Sequence, residues 1–247
     1  MRVAVAGGTG LAGARVADRL RAEGHEPVVL ARSRGVDLVG GQGLDDALAG
    51  CAAVVDVSNV TTLRRDAAVR FFDSAATNLT TAAARAGVGH LVVLSIVGVD
   101  RVDLGYYVGK RRQEEVVTGG PVPWTVLRAT QFHEFAGQLL DRSRGPVAVV
   151  PRMLSQPVAV AEVATRLAGL AVGASAGFAR ELAGPEQLEM TDLARAVARA
   201  RHLRRVVLPV RLPGATGRAL ASGALLPDGP HDVGRLTFAG QPATLPA

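Results

Sequence analysis

Cysteine is almost missing from this sequence: Cys51 stands alone among 247 residues. One thiol forms no intramolecular disulfide and no multi-cysteine metal site, and a lone thiol fits a reducing compartment. Histidine offers no metal site either, since His25, His90, His133, His202 and His231 are scattered without ligand spacing. Aromatic residues amount to 4%, too few for an extended base-stacking surface. Lysine is rarer still. Of the 28 basic residues one is Lys110, and the other 27 are arginine. That bias inflates the isoelectric point of 10.8, and the formal charge is a modest +6, so neither is good evidence for nucleic acid. The densest basic run, Arg195, Arg199, Arg201, Arg204 and Arg205, reads as a solvated helix face.

Long apolar runs are missing as well. Leu91 to Val99 is interrupted by Ser95 and is too short for a bilayer. The start, Met1 to Ala6, has the outline of a signal peptide but runs straight into Gly7-Gly8-Thr9-Gly10, then Arg15, Asp18 and Arg19, which break any apolar core. The expectation is a cytoplasmic protein with a small-molecule substrate and neither nucleic acid nor membrane as partner.

What is present is a globular composition, 48% hydrophobic and 20% charged, arranged as alternating strands and helices. Short apolar runs at Val3–Ala6, Pro27–Ala31, Val36–Val39, Ala53–Val57, Leu91–Ser95 and Trp124–Leu127 predict strands. Between them lie helical patterns at Leu11–Ala22, Leu44–Ala49, Asp66–Arg85 and Tyr107–Thr118. Near-continuous apolar strands in strict alternation with helices predict an α/β fold, a doubly wound parallel sheet of Rossmann type. Residues 1–130 form this dinucleotide-binding domain. Residues 131–247 are expected to form a small C-terminal substrate lid, with helices at Glu162–Val172 and Thr191–Arg201, an edge strand at Val206–Val210 and a loosely structured tail from about Leu225.

Gly7, Gly10 and Gly13 recur at every third position between the first strand and the first helix. A phosphate-binding turn needs glycine where the chain bends, where it nears the pyrophosphate, and where helix meets strand. The N–H groups opening the Leu11 helix then face the anion. Gly7, Thr9, Gly10, Leu11 and Gly13 are therefore candidate cofactor residues. An acid about 20 residues beyond the glycines would hold a ribose 2′-hydroxyl. That place is taken by Arg32, Ser33 and Arg34, with no acid before Asp37. Guanidinium pairs with a 2′-phosphate, so NADP(H) is favoured over NAD(H).

Tyr106-Tyr107-Val108-Gly109-Lys110 contains Tyr-x-x-x-Lys. Residues four apart share one helix face, so Tyr106 and Lys110 can serve one site. A lone lysine placed at random would follow a tyrosine by four residues at only two of 247 positions. A phenol of pKa about 10 exchanges protons poorly at neutral pH, and a neighbouring ammonium lowers that pKa. Ser95 ends its predicted strand and would hydrogen-bond the substrate oxygen at the carboxyl edge of the sheet.

The spaced glycines, Ser95 and Tyr106–Lys110 together resemble the short-chain dehydrogenase/reductase superfamily. Val126-Leu127-Arg128-Ala129-Thr130-Gln131-Phe132, Pro157 to Ala164 and Gly184-Pro185-Glu186 resemble its atypical, extended, NmrA-like branch. The resemblance implies Tyr106 as catalytic acid/base, Lys110 as its partner and nicotinamide-ribose anchor, and Ser95 as oxygen holder. It implies that Asn59 lines the cofactor groove and Asn78 braces the site. It also places Thr130, Gln131, Phe132 and His133 beside the nicotinamide and substrate, with Thr130 and Phe132 on the cofactor. Ser95 precedes Tyr106 by only eleven residues, tighter than the family's usual arrangement. The implied activity is an NADP(H)-dependent oxidoreductase that passes hydride to or from a small carbonyl, enone or quinone. Family habit adds a homodimer. Two alternatives share the motifs: a dinucleotide-binding redox sensor without turnover, and an epimerase or isomerase using the same triad. No metal is expected.

Overall fold

The computed structural model describes residues 1–143 and 145–240. Its strands are β1 (Arg2–Ala6), β2 (Glu26–Leu30), β3 (Ala53–Asp56), β4 (His90–Ile96), β5 (Trp124–Ala129), β6 (Val147–Pro151), β7 (Leu154–Ser155), β8 (Gly177–Phe178), β9 (Leu182–Ala183), β10 (Leu188–Glu189), β11 (Val206–Val210) and β12 (Asp232–Val233). Its helices are α1 (Leu11–Ala22), α2 (Leu44–Leu48), α3 (Arg65–Arg85), α4 (Gly105–Thr118), α5 (Phe135–Asp141), α6 (Val160–Val172), α7 (Met190–Ala200) and α8 (Gly214–Ala221). The chain divides into two compact units. The first comprises Met1–Ser95, Leu104–Arg128 and Ala161–Arg180; the second comprises Ile96–Asp103, Ala129–Val160 and the described residues from Glu181 onward. The units are therefore interleaved in sequence: 96–103 group with the second unit and 161–180 with the first.

The first unit is the doubly wound sheet. Within it β1 lies between β2 and β3, both parallel to it, β4 runs parallel beside β3, and β5 follows β4. Thr125 and Val126 of β5 pair in parallel with Gly177 and Phe178. Val3, Ala4, Val5 and Ala6 are all fully buried, which a strand achieves only when both sheet faces are covered. One face packs Ala4, Ala6, Val54, Leu91 and Val93 against Leu44, Leu48, Ala76, Leu79 and Ala83. Pro27 is tolerated because β2 is the edge strand. In register, Ala6 lies opposite Asp56 and Asp56 opposite Val93, so Asp56 marks the carboxyl edge of the sheet.

One predicted strand of this region is absent. Val36–Val39 forms a loop. Its alternating Val, Asp, Leu, Val pattern mimics a strand, but the carbonyls of Leu38 and Val39 accept from Asn78 Nδ2 at 3.0 and 2.8 Å rather than from a neighbouring strand. The turn is closed by Gly41 N–H donating to the Asp37 carbonyl at 2.8 Å. Ser95 consequently sits in the fourth strand of the chain, one residue before its end.

In the second unit β6 and β11 form a parallel pair, β7 and β10 an antiparallel pair, and β9 pairs in parallel with β12. Helices α5 and α7 pack against β6. Val206–Val210 is a strand as expected, while its partner β6 carries Pro at both borders and gives a weaker signal. The region after Leu225 is better ordered than its Pro and Gly content predicts. Leu225 is fully buried, and Asp232–Val233 pairs with Leu182–Ala183. The last expected tail residues, 241–247, lie outside the described residues. Among the described residues no helix is long and apolar enough to cross a membrane, and no group of His, Cys, Asp or Glu could hold a metal ion.

Candidate functional site

The glycine turn follows β1 directly. Gly7 has φ +76°, a conformation that L side chains rarely adopt, and a Cβ there would lie 2.9 Å from Ser58 Cα. A Cβ on Gly13 would collide with the Gly7 carbonyl oxygen and the Gly8 backbone. The turn is locked by Gly10 N–H donating to the Gly7 carbonyl at 2.9 Å. Gly10 caps α1 without a side-chain hydrogen bond, and the first turn holds no acid. Thr9 and Gly10 are exposed and Leu11 half-buried. The backbone donors of the helix start thus have no competing side-chain acceptor, which suits a pyrophosphate. Gly7 N–H also donates to the Leu30 carbonyl at 3.2 Å, tying the turn to the end of β2. Immediately beyond, Arg32–Arg34 form a single 3-10 turn in which Arg32, Ser33 and Arg34 are all exposed. Neither guanidinium has a side-chain partner among the described residues.

Helix α4 begins at Gly105, so both tyrosines stand on its first turn. Gly105 is required there, because a Cβ would strike the Leu63 carbonyl and the Arg65 backbone at the start of α3. The tyrosines have different environments. Tyr106 is half-buried and its hydroxyl donates to Asn59 Oδ1 at 2.8 Å. Tyr107 is buried, and burial, with a contribution from Tyr106, pushes its phenol well above the ordinary range. Their rings meet edge-on at 5.7 Å, and Tyr106 meets Phe72 in the same way at 5.8 Å.

Lys110 is 4% exposed. Its Nζ donates to the Leu94 carbonyl at 2.6 Å and to Gln113 Oε1. It also stands 5.0 Å from the Phe72 ring centroid. Phe72 therefore touches both Tyr106 and Lys110. Beyond Lys110 the polar chain continues: Gln113 Nε2 donates to Asp56 Oδ2 at 2.7 Å, and Ser58 N–H donates to Asp56 Oδ1 at 2.8 Å. Burial pushes the Lys110 ammonium down to about 8, against the opposing influence of Asp56 and then Glu114. Glu114 is itself held by Arg128 at 2.7 Å.

Ser95 Oγ is buried and has no hydrogen-bond partner among the described residues, and the same holds for Ser58 Oγ. A buried unpaired hydroxyl is costly unless a ligand completes it. Asn78 braces the Leu38–Val39 loop by the bonds given above. Thr130 and Phe132 belong to the second unit, where Thr130 Oγ1 donates to the Gln156 carbonyl at 2.6 Å and Phe132 bridges Val158. His133 is buried there with a ring nitrogen 3.2 Å from the Pro157 carbonyl and its ring against Phe238 at 5.5 Å. The sequence reading missed Asp56 and Gln113. Gln113 on the same helix, three residues after Lys110, was the one available signal.

The first unit thus brings together a turn with glycine at its crowded positions, an uncapped helix start and free guanidinium groups after β2. These residues fit a dinucleotide with its pyrophosphate on α1. A family model described as NAD(P)H-binding matches residues 7–169, more than half of the chain. A curated relative, the (4-alkanoyl-5-oxo-2,5-dihydrofuran-3-yl)methyl phosphate reductase of Streptomyces griseus, is 34% identical over 144 residues, covering 53% of this chain and 48% of its own. The match therefore spans about half the length of that relative. Among solved structures, MoeE5 in complex with UDP-glucose and NAD superposes with a TM-score of 0.76 at 17% identity, covering 99% of this chain and 97% of its own. The NADPH-dependent quinone oxidoreductase QOR2 of Escherichia coli, complexed with NADPH, gives 0.70 at 19% identity, covering 98% and 99%. These likenesses carry the Rossmann-type fold. The chain belongs to the NAD(P)H-binding family whose model it matches.

Proposed function

We propose that this protein is an NADPH-dependent reductase of a small conjugated carbonyl compound, an enone or quinone, with Tyr106 as its proton donor. The observation that carries the reading is the contrast on the first turn of α4. Tyr107 is buried with its phenol pushed far from physiological pH, whereas Tyr106 is half-buried and its hydroxyl donates to the Asn59 side chain. The curated relative's printed substrate supports the choice of class, since a 5-oxo-2,5-dihydrofuran bearing a 4-alkanoyl group has its ring double bond conjugated to two carbonyls.

Bound NADPH would supply the hydride to the electron-poor carbon. The chain's own groups do the rest. In the turn shaped by Gly7, Gly10 and Gly13, the backbone N–H groups of Thr9 and Leu11 donate to the pyrophosphate, and Arg32, Ser33 and Arg34 receive the 2′-phosphate. Asn59 borders the nicotinamide half. The Ser95 hydroxyl donates to the substrate oxygen, which satisfies its unpaired Oγ. The Tyr106 hydroxyl leaves Asn59 and passes its proton to the reduced substrate, and solvent returns a proton to the phenolate. Lys110, one helical turn beyond, contributes the positive charge that makes this phenol a competent acid near neutral pH and anchors the nicotinamide ribose.

The test is NADPH consumption across a panel of enones, quinones and ketones, with NADPH binding followed separately by fluorescence. Tyr106→Phe is expected to lower turnover by about 10²- to 10⁴-fold with NADPH affinity retained. Undiminished turnover in Tyr106→Phe removes the phenol from the mechanism. Tight NADPH binding with no turnover in either protein favours the sensor reading.

A further inference from the structure

We propose that Asp56 and Gln113 are the positioning residues of Lys110: a buried carboxylate, acting through a carboxamide, fixes where the ammonium lies and sets the pH range over which it stays charged. The inference rests on the assignment of Lys110 to the reductase site and adds two residues to it.

The geometry is a chain of three side chains, all nearly inaccessible. Asp56 is 1% exposed, Gln113 1% and Lys110 4%. Asp56 ends β3, Lys110 and Gln113 lie three residues apart on α4, and the Leu94 carbonyl belongs to β4. The direction of every hydrogen bond in the chain is forced. Lys110 can only donate, so the Gln113 atom facing it must be the carbonyl oxygen. Gln113 Nε2 then points the other way and needs an acceptor, which a carboxylate supplies. The second carboxylate oxygen is occupied by Ser58 N–H. No other orientation of the carboxamide satisfies both neighbours. The charge of Asp56 therefore reaches Lys110 through one oriented dipole.

The same chain links the ammonium to the cofactor turn, because Ser58 lies against Gly7. The charged groups acting on Lys110 are Asp56 from β3 and Glu114 from α4, the latter paired with Arg128 of β5. From α3 comes the Phe72 ring, which also touches the Tyr106 phenol, and from β4 the Leu94 carbonyl. Burial works against the ammonium, and Asp56 and Glu114 oppose it. Without Asp56, Lys110 would lose its charge at a lower pH.

Asparagine at position 56 exposes the mechanism. Its oxygen can accept from Ser58, but its NH₂ then faces Gln113 Nε2, donor against donor. Flipping Gln113 moves the same conflict to Lys110. A second change, Gln113→Glu, resolves it. The asparagine NH₂ then donates to one oxygen of the new carboxylate and Lys110 donates to the other, so donors and acceptors alternate again. The negative charge now sits next to the ammonium, and the total charge is unchanged.

Lys110 is the single lysine of the chain, so uniform labelling with ¹⁵N-lysine gives one side-chain ammonium signal, and its titration can be followed by NMR without any turnover. In the full-length protein the wild-type signal is expected to titrate near pH 8. Asp56→Asn should lower the midpoint by about one unit, and the basic limb of the kcat/KM profile should move to lower pH by the same amount. Asp56→Asn combined with Gln113→Glu should bring both back to the wild-type value or above it. Gln113→Met breaks the chain without changing charge, should also lower the midpoint, and serves if Asp56→Asn does not fold. A midpoint unmoved in Asp56→Asn or Gln113→Met, or not recovered in the double variant, overturns the proposal. A midpoint that moves while the kcat/KM profile stays fixed upholds the positioning role and instead removes Lys110 from the reaction, so the two readings fail separately.

Discussion

Buried polar side chains find different partners in the two units. In the second unit three are tied to backbone carbonyls, Thr130 to Gln156, Gln156 to Gly184 and His133 to Pro157, while the Gln131 amide is buried without a partner among the described residues. Each bond joins a side chain to a loop between 24 and 28 residues away. Such bonds satisfy main-chain groups that could not otherwise be buried, and they hold loops in place. In the first unit buried groups bind one another, Lys110 to Gln113, Gln113 to Asp56 and Arg128 to Glu114, and three hydroxyls, Ser58, Thr80 and Ser95, have no partner among the described residues. Stitching of the first kind adds stability. A charged chain with open hydroxyls is costly to bury and fits a place where a ligand completes it.

The sharpest way to break this contrast is Lys110→Arg. In a chain that uses arginine at 27 of its 28 basic positions, the exchange looks conservative. The Lys110 slot is bounded by the Leu94 carbonyl, Gln113 and the Phe72 ring, and a planar guanidinium with five donors fits neither its size nor its two acceptors. Turnover is expected to fall by about 10²-fold or more, measured as NADPH oxidation, with circular dichroism reporting the fold. A second readout concerns pH. The ammonium titrates near 8 in the folded chain and near 10.5 when unfolded, so between those values the unfolded state binds more protons and stability rises with pH. Below pH 8 both states are protonated and the burial cost is fully present. Urea unfolding at pH 8 and pH 10 should show this rise in the wild type, and Lys110→Met should lack it.

The matching perturbation of the second unit is Gln156→Leu. Gln156 Nε2 donates to the Gly184 carbonyl at 2.8 Å, and leucine leaves that carbonyl buried and unpaired. The expected cost is about 1–3 kcal/mol of stability, seen as a lower urea midpoint, with kcat at a permissive temperature unchanged. A large loss of kcat with stability intact would erase the distinction between the two regions.

The readable part of this protein is local in sequence. Gly7, Gly10 and Gly13 reveal their role because the turn they form is contiguous, and Tyr106 and Lys110 because one helical turn joins them. The Asp56–Gln113 bond joins residues 57 apart and exists only because β3 and α4 are brought together by the sheet, so no spacing rule exposes it. The Val36–Val39 loop misleads for the converse reason. Its residue types are those of a strand, and the donor that decides otherwise, Asn78, lies 40 residues away from Leu38. The order after Leu225 is hidden likewise, since Asp232–Val233 becomes a strand only through pairing with Leu182–Ala183. Local chemistry can be read directly. Long-range partners cannot.

The smallest expected effect lies at the rim of the first unit, where charge is exposed rather than buried. Arg32 and Arg34 project from a short turn with no side-chain partner among the described residues, so a 2′-phosphate would meet a guanidinium that gives up no existing ion pair. Water and salt screen such a contact, which keeps its contribution well below that of a buried one. Arg32→Ala is expected to weaken NADPH binding by about tenfold while leaving NADH binding nearly unchanged. The ratio of the two dissociation constants, measured by fluorescence at low and high salt, isolates the 2′-phosphate from everything the cofactors share. The NADPH preference should also shrink in the wild type as salt rises, because an exposed contact is screened and the Lys110 chain is not. Equal losses for both cofactors would mean that Arg32 supports the turn rather than reads the phosphate, and the choice between NADPH and NADH would then rest with Ser33, Arg34 or neither.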